Sequence, residues 1–464
     1  MSLHAVILLA VSLAAASEKT VTVTSQSDFD ALSRRIHAEL SDSPERLRVV
    51  LQSGTYRFHD DHISLLSENC PGTDLILEGQ DVRIVGSAPD IHCTSFFRLS
   101  RPVEIVDAER KLCRIRTNRH LPGTGHLYVQ ITAWYQLFSG SVVMQKGGYL
   151  YFTLDKLARS GMGYNVNGDF LHGRQMPRCR LLRVDAETDR VSTAFFKVTA
   201  CTFRSLSISG INFETNADGR TEYAKDCLIR FYQGHFDKAV VENCHFQSIR
   251  TDVVHIAYSD HVEIRNCGFE ECHRRGVVSF NSSAFTRIVD NQFSTMGLSR
   301  ENTPCVECHG MDYLVAGNRF TDYGNCAVAV GLHFSETMDR PVSGRVEDNV
   351  ISQTRKYRET APMNLLMDTG AIYVWTQNTS LLIRNNRIHD IDGPGENRGI
   401  FCDDGTVNTV LEGNEIQRIV NSYCIDLRRV LSVETRSDSK IRKVNIGNRL
   451  GANQVDGRIR FQHR

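Results

Sequence analysis

The sequence has no excess of charge of either sign, because its 54 Lys and Arg residues are balanced by 54 Asp and Glu residues. A nucleic-acid-binding surface needs an excess of basic charge, so we expect no nucleic acid partner. After residue 16 the sequence also lacks any apolar run long enough to span a bilayer. We therefore expect no integral membrane segment. The balance of charge does not exclude neutral glycans or small patches of charged sugar as partners.

Patterns that would fix a metal site or a disulfide framework are missing as well, although the chain contains 14 Cys residues. Cys305 and Cys308 form one CxxC pair without a second pair, which is too little for a four-ligand zinc site. A free Cys packs as a small apolar residue, and several fall within or beside repeating strand patterns, namely Cys244, Cys267, Cys272, Cys326, Cys402 and Cys424. The sequence thus predicts core cysteines and no metal site.

One apolar segment stands at the N-terminus, where residues 5–16 read AVILLAVSLAAA. Its length and the small residues Ala14, Ala15 and Ala16 before Ser17 are typical of a signal peptide and its cleavage site. An apolar N-terminus without a signal function is the alternative. We predict a signal peptide over residues 1–16 and a secreted, monomeric protein.

A short phrase recurs through the C-terminal two thirds of the chain, in which an apolar-polar alternation is followed by Asn and then by Phe, Ile or Leu. The copies carry Asn at intervals of 23 to 37 residues, namely Asn243, Asn266, Asn291, Asn318, Asn349, Asn386, Asn414 and Asn448, with an earlier relative at Asn212. Such self-similarity indicates a solenoid, and the period-2 alternation indicates β-strands rather than helices. A β-propeller is the alternative. Because Asn accepts left-handed backbone and hydrogen-bonds locally, we predict an Asn ladder at one corner.

A second strand follows each Asn corner and supplies an inward apolar residue to every coil. These residues are Val254, Val277, Val306, Val328, Ile372, Ile400 and Ile425. We expect them to form one parallel ladder. The chain is longer before Val306, Ile372 and Ile400 than before the others, and long loops on a rigid scaffold tend to carry function. We therefore predict a cleft beside this strand.

The outward positions of the same strand carry carboxylates, imidazoles and aromatic rings. The first outward row is His255, Val278, Glu307, Ala329, Tyr373, Phe401 and Asp426, and the second is Ala257, Phe280, His309, Gly331, Trp375, Asp403 and Arg428. Asp403 should lie over Trp375 and on the order of 8 Å from Asp426, which is in the range of an inverting glycosidase. The alternative is a solvated surface on which Asp403, Asp404 and Gly405 form only a turn.

Residues 368–416 carry a pattern that resembles a known family. Asp368–Trp375 reads DTGAIYVW, LLIRNNRIHDI follows, and Gly399–Gly405 reads GIFCDDG. The pattern resembles bacterial right-handed parallel β-helix proteins with pectin-lyase-like architecture, and is similar to a glycoside hydrolase family that includes α-L-fucosidases and xylanases. This resemblance implies that Asp368, Asp403 and Asp404 are catalytic carboxylates, in a protein secreted from, or periplasmic in, a Gram-negative bacterium. Polygalacturonases match poorly, because the chain lacks NTDG followed by RIK.

These observations predict an all-β chain, a single-stranded right-handed parallel β-helix with an N-terminal capping helix and a small β-rich insertion. We expect the signal peptide over residues 1–16, the cap and first coils over 17–92, the insertion over 93–200 and the coils with the cleft over 201–464. The helix would cover edge strands at the end of the solenoid. The insertion either leans over the cleft or only packs against the coils.

The leading functional hypothesis is a glycoside hydrolase that cleaves a plant or host glycan with two carboxyl groups and no cofactor. Asp403 would be one catalytic carboxyl group, with Asp368, Asp404 or Asp426 as its partner. The candidate substrate-binding residues are Tyr373, Trp375, His309, Glu307, His255, Arg428 and Phe401. The alternatives are a polysaccharide lyase, with Arg428 or His309 as base and Ca²⁺ bound by clustered Asp residues, and a non-catalytic glycan-binding surface protein.

Overall fold

Short parallel strands stacked along one axis make up most of the chain in the computed structural model. The structure describes residues 17–58, 61–86, 95–107, 109–117, 126–130, 137–157, 178–185, 194–215, 227–249, 251–280, 283–297, 304–331, 342–353, 369–375, 380–392, 397–403, 406, 408–420, 423–429, 433–436, 439–442 and 449–463. No helix within these ranges is long and apolar enough to cross a membrane.

Two short helices cover the first coils. This segment contains β1 (Glu18–Val23), α1 (Gln26–Asp30), α2 (Leu32–Leu40), β2 (Arg46–Leu51), β3 (Gly54–Phe58), β4 (Ile63–Leu66) and β5 (Asn69–Gly86). The Ser25 side chain caps α1 by accepting a hydrogen bond from the Asp28 N–H. In α2 an apolar residue recurs every fourth position, and Leu32, Ile36 and Leu40 are buried in the same core as the strands. The helices thus lie where the sequence predicts a cap.

The segment expected to be a β-rich insertion contains six strands. They are β6 (Ser95–Asp107), β7 (Leu112–Arg116), β8 (His126–Gln130), β9 (Leu137–Lys146), β10 (Tyr149–Leu157) and β11 (Arg178–Asp185). The strands are antiparallel and close on themselves in the order β10-β7-β6-β11-β8-β9. Closure gives every strand a partner on both sides, so this sheet has no unpaired edge.

The coils resume after the closed sheet, and most consist of three strands each. Their strands are β12 (Phe196–Thr199), β13 (Thr202–Thr215), β14 (Cys227–Tyr232), β15 (His235–Glu242), β16 (His245–Gln247), β17 (Asp252–Ala257), β18 (Val262–Arg265), β19 (Gly268–Glu270), β20 (Val277–Phe280), β21 (Arg287–Val289), β22 (Gln292–Met296), β23 (Val306–Cys308), β24 (Tyr313–Ala316), β25 (Arg319–Tyr323), β26 (Val328–Gly331), β27 (Ser343–Glu347), β28 (Val350–Ser352), β29 (Ile372–Trp375), β30 (Ser380–Arg384), β31 (Arg387–Ile391), β32 (Arg398–Cys402), β33 (Thr409–Glu412), β34 (Glu415–Ile419) and β35 (Tyr423–Arg429). A two-stranded antiparallel pair and the last coil follow, as β36 (Val433–Arg436), β37 (Ser439–Arg442), β38 (Arg449–Leu450), β39 (Gln454–Val455) and β40 (Ile459–His463).

Two parallel sheets run along the coils. One has 11 strands in the order β4-β12-β14-β17-β20-β23-β26-β29-β32-β35-β40, and the other has 21 strands and contains most of the remaining coil strands. In the first sheet the predicted inward residues pair in one continuous register, and all are fully buried: Val254, Val277, Val306, Val328, Ile372, Ile400 and Ile425. The predicted ladder and the parallel β-helix are therefore confirmed.

The apolar residue of the recurring phrase forms a stack inside the second sheet. Rings of Phe213, Phe246, Phe269, Phe293 and Phe320 follow one another with centroids 5.2, 4.9, 4.5 and 4.8 Å apart. Ile351, Ile388 and Ile416 continue the same register in later coils. The coil spacing of about 4.8 Å suits offset ring stacking. The apolar residue of each repeat therefore packs on the equivalent residue of the next coil.

The predicted Asn ladder is confirmed for the five residues from Asn291 to Asn414, and its register differs from the prediction in the earlier coils. It consists of Asn291, Asn318, Asn349, Asn386, Asn414 and Asn453, each Nδ2 donating to Oδ1 of the next. Asn243 and Asn266 lie one position earlier, with φ of 51° and 50°, so Cys244 and Cys267 occupy the ladder position. Asn212 pairs with His245, one position later. Asn448 lies outside the described residues.

The cysteine side chains that the structure describes are all buried. Cys267 shows why they suit this fold, because its Sγ lies 3.6 Å from the Val241 carbonyl oxygen. This contact corresponds to the one that Asn291 Nδ2 makes to the Ile264 carbonyl at 2.9 Å in the next coil. The thiols therefore fill core and corner positions.

Candidate functional site

The outward residues of the 11-stranded sheet form the two predicted rows. In the first row His255, Val278, Glu307, Ala329, Tyr373, Phe401 and Asp426 pair in sequence from coil to coil. In the second row Ala257 pairs with Phe280, and Gly331 pairs with Trp375. His309 and Asp403 directly follow Cys308 and Cys402, so they continue this row. The side chains of Trp375 and Arg428 lie outside what the structure describes.

This outer face is buried, whereas the sequence led us to expect an open groove. Val278, Phe401 and Asp426 have no exposed surface, and Glu307 and Tyr373 are exposed by only 8% and 6%. The chemistry of the site therefore depends on which of its buried polar groups face one another.

Asp403 and Tyr373 form one polar contact on this face. The Tyr373 hydroxyl donates a hydrogen bond of 2.7 Å to Oδ2 of Asp403, which is almost fully buried. The backbone also fixes Asp403, because its N–H donates to the Val374 carbonyl at 2.8 Å and its own carbonyl accepts from the Thr406 hydroxyl at 2.8 Å. The carboxyl group therefore has one defined position at the end of β32.

Asp426 does not have the catalytic position that the sequence suggested. Its carboxylate is fully buried and accepts from Nε of Arg398 at 2.6 Å and from Nε of Arg460 at 2.8 Å. Arg398 is itself fully buried, and its guanidinium lies 4.0 Å from the centre of the Phe401 ring. Asp426 is thus a structural counter-ion, and Phe401 packs against Arg398 and Tyr373 instead of reaching a substrate.

A second polar cluster crosses four coils of the same face. Arg275 donates to Asp252 at 3.0 and 2.6 Å and to Glu307 at 2.7 Å. Burial opposes ionisation of Glu307, but the Arg275 charge and the His309 hydrogen bond overcome it and lower the pKa of Glu307 to about 2. Burial likewise disfavours the charged form of Asp252, yet the two guanidinium groups of Arg275 and Arg274 lower its pKa. Both carboxylates are therefore ionised at neutral pH.

His309 completes this cluster and connects two coils. Its Nε2 lies 2.9 Å from Glu307 Oε1, and its Nδ1 lies 2.5 Å from the Gly331 carbonyl oxygen. Its ring stacks on Phe280 at 4.9 Å. Burial lowers the pKa of the neighbouring His255 to about 4, which keeps that imidazole neutral. Glu307 and His309, predicted to bind substrate, thus direct their polar atoms to each other and to the protein.

Sequence reasoning missed Asp252, Arg275 and Arg398. All three stand two residues before an inward residue of the ladder, namely before Val254, Val277 and Ile400. Alignment of the coils at this position would have placed Asp252 directly beside Arg275. Asp368 and Asp404, the other predicted carboxylates, lie outside the described residues. Within the described ranges, no group of three or more His, Cys, Asp or Glu residues could hold a metal ion.

Comparison with known proteins supports the fold. Residues 231–448 match the family model described as a right handed beta helix region. A solved structure described as a glycoside hydrolase aligns over 95% of this chain and 97% of its own, with a TM-score of 0.58 and 9% identity. The chain is therefore a right-handed parallel β-helix protein, as its resemblance to that class implied.

Other solved structures align at lower TM-scores. A DFA-IIIase from Arthrobacter chlorophenolicus A6 aligns over 95% of this chain and 88% of its own, at 12% identity and a TM-score of 0.37. The A-module of a mannuronan C-5 epimerase from Azotobacter vinelandii aligns over 96% and 95%, at 10% identity and a TM-score of 0.36. No curated protein sequence matches the chain.

Proposed function

We propose that the protein is a carbohydrate-active enzyme, a glycoside hydrolase in which Asp403 is one of two catalytic carboxyl groups. The observation that carries this proposal is the hydrogen bond from the Tyr373 hydroxyl to Asp403 Oδ2 at 2.7 Å, on the outer face of the 11-stranded sheet. Glycoside hydrolysis requires carboxyl groups held in fixed positions on either side of the scissile bond. Tyr373 and the backbone contacts of Asp403 provide such fixation.

The partner carboxyl group would be Asp368 or Asp404, since the carboxylate of Asp426 is already neutralised by Arg398 and Arg460. Tyr373 would act as a positioning residue for Asp403, and Trp375 would contribute to the sugar subsite. The two-carboxyl mechanism requires no cofactor. The solved glycoside hydrolase with the same fold supports this proposal, as does the predicted signal peptide, which would deliver the enzyme to external glycans.

The Asp403→Asn variant tests the proposal directly. Loss of a general acid, base or nucleophile should reduce turnover by about 10²- to 10⁴-fold, measured as reducing ends released from a panel of glycans. Asp390→Asn is the matched control, because Asp390 is a half-exposed partner of Arg418 in β31, which belongs to the other sheet. Equal activity of the Asp403→Asn variant and the wild-type protein would refute the assignment, and products that absorb in the ultraviolet would indicate a lyase.

The Tyr373→Phe variant tests whether the Tyr373 hydroxyl positions the Asp403 carboxyl group. Loss of a hydrogen bond to a carboxylate is worth about 1.5–3 kcal/mol, so we expect kcat to fall by roughly 10- to 100-fold. Tyr323→Phe is the control, because the buried Tyr323 hydroxyl has no hydrogen-bond partner among the residues that the structure describes. If both substitutions have the same effect on kcat, the hydroxyl of Tyr373 has no specific role.

A further inference from the structure

Two pairs of aromatic rings lie at the turns that lead from the 11-stranded sheet to the 21-stranded sheet, apart from the buried site. Among the described residues, the large apolar side chains with high exposure include only two aromatic ones, Tyr258 at 39% and Phe285 at 40%. Tyr232 contacts Tyr258 edge to face at 5.6 Å, and His261 stacks on Phe285 at 4.7 Å and 13°. We call Tyr232, Tyr258, His261 and Phe285 the aromatic platform.

The backbone of the platform is unfavourable for the residues that it carries. Tyr258, His261 and Phe285 have φ of 51°, 56° and 56°, a left-handed conformation that bulky residues rarely adopt. The coil corners themselves demand this conformation. Phe285 stacks directly below Asp312, which has φ of 51°, and Asp tolerates this region far better than Phe does.

Core packing does not explain these rings, because Tyr258, His261 and Phe285 are exposed. In the coils before Tyr258, the same left-handed corner carries Ser67, Ala200 and Gln233, and in the coil after Phe285 it carries Asp312, so no other ring occupies these positions. A residue that is poorly suited to the conformation that the fold requires tends to be retained where its side chain has a function. This points to a role for the exposed faces of the rings.

We propose that the aromatic platform is a distal glycan-binding subsite that accepts sugar rings on its exposed faces. Aromatic rings offer flat apolar surfaces that match the C–H faces of sugars. Arg230 adds hydrogen-bond donors for sugar hydroxyls at its border, because its guanidinium lies 5.0 Å from the centre of the Tyr232 ring. Continuity with the candidate active site favours a glycan over a protein partner.

The same sheet edge connects the platform to Asp403. Tyr232 and Phe280 lie in the second outward row that His309, Gly331 and Asp403 continue, and all its strands end at this edge. Four coil steps separate the coil of Phe285 from that of Asp403, which is about 19 Å. A glycan that reaches both must be an oligosaccharide or polysaccharide several residues long. The choice of a glycan as the occupant of the platform and this statement of substrate class both rest on the proposed function.

Binding by affinity electrophoresis in native gels tests the platform, with soluble xylan, laminarin or polygalacturonate in the gel. We expect at least one polysaccharide to retard the wild-type protein and Asp403→Asn equally. Phe285→Asp and Tyr258→Asn should weaken the apparent affinity at least tenfold. The melting temperature of Phe285→Asp should equal or exceed that of the wild type, because Asp relieves the backbone strain. Leu66→Asn is the control, since Leu66 is exposed at the same sheet edge but has no ring.

The inference would be overturned if none of the three polysaccharides retards the wild-type protein. It would also be overturned if the wild-type protein and the platform variants bind a polysaccharide with equal affinity. A dimer that Phe285→Asp converts to monomers without any change in glycan binding would also overturn it, because the patch would then be an interface between copies. Platform-dependent binding without turnover of any glycan would refute only the proposed hydrolase. Turnover of a polysaccharide with kcat/KM unchanged by Phe285→Asp would refute only the platform.

Discussion

At the scale of single residues, buried charges on the outer face are matched with counter-charges. Asp426 lies between Arg398 and Arg460, and Arg275 lies between Asp252 and Glu307. A buried pair of this kind adds little net stability, but removal of one partner leaves an uncompensated charge. The outer face should therefore tolerate replacement of a whole ion pair by apolar residues of similar volume far better than the loss of a single carboxylate.

Asp426→Asn should destabilise the protein by about 3–5 kcal/mol, because it leaves the fully buried Arg398 without its counter-ion. Denaturant unfolding of the two proteins measures this difference. Asp390→Asn removes a half-exposed partner of Arg418 and should cost no more than about 1 kcal/mol. If the two substitutions lower the free energy of unfolding equally, the buried contacts of Asp426 with Arg398 and Arg460 have no special energetic role. Asp426 would then be a catalytic candidate again.

His62 should make the N-terminal cap sensitive to acid. Burial lowers its pKa to about 4 from 6.5, and its ring packs against Phe29 at 3.9 Å and against Phe195 at 5.8 Å. Since the unfolded chain binds the proton more tightly, stability is lost as the pH falls from about 6.5 towards about 4.

His62→Phe should consequently stabilise the protein more at pH 5 than at pH 7.5, by about 2 kcal/mol. Thermal or denaturant unfolding at both pH values gives this difference. An equal effect of His62→Phe at both pH values would show that His62 is not held neutral in the folded protein.

The sequence predicted which residues share the outer rows, because period-2 alternation and coil stacking determine this directly. It did not predict that the rows are buried. Glu307 and Asp426 contact arginine side chains of neighbouring coils on the same face, and period-2 alternation carries no information on where such long side chains extend. For the same reason, Asp426 was ranked with Asp403, although only the structure shows the two Arg side chains that neutralise it.

At the scale of the strand and its corner, two adjacent residues with different roles form each turn at the Asn ladder. The first adopts left-handed backbone, and the second points inward and carries the ladder. Asn suits both positions, so a single phrase such as VENCHF could not distinguish them. The pairs Asp348–Asn349 and Asn385–Asn386 show the assignment, because the first residue of each has φ of 58° and 54°.

Asn349→Ala should cost about 3–5 kcal/mol, since it removes the acceptor of the buried Asn318 N–H and the donor to the Val315 carbonyl. Asn349→Cys should cost less, because Cys244 and Cys267 occupy the same position in earlier coils. Asn453→Ala in the last coil should cost the least, because its rung has a ladder neighbour on one side only. Denaturant unfolding ranks the three, and a larger loss for Cys than for Ala would contradict the ladder account.

At the scale of the whole molecule, the closed sheet interrupts the solenoid between two strands that pair with each other. β5 ends at Gly86 and pairs with β13, which begins at Thr202. Ribosomes add about 5–20 residues per second, so a nascent chain carries the unpaired edge of β5 for on the order of ten seconds before its partner emerges. Exposed strand edges invite association with other chains. During this interval the six inserted strands can complete all their own pairings, and they therefore offer the waiting edge no competing partner.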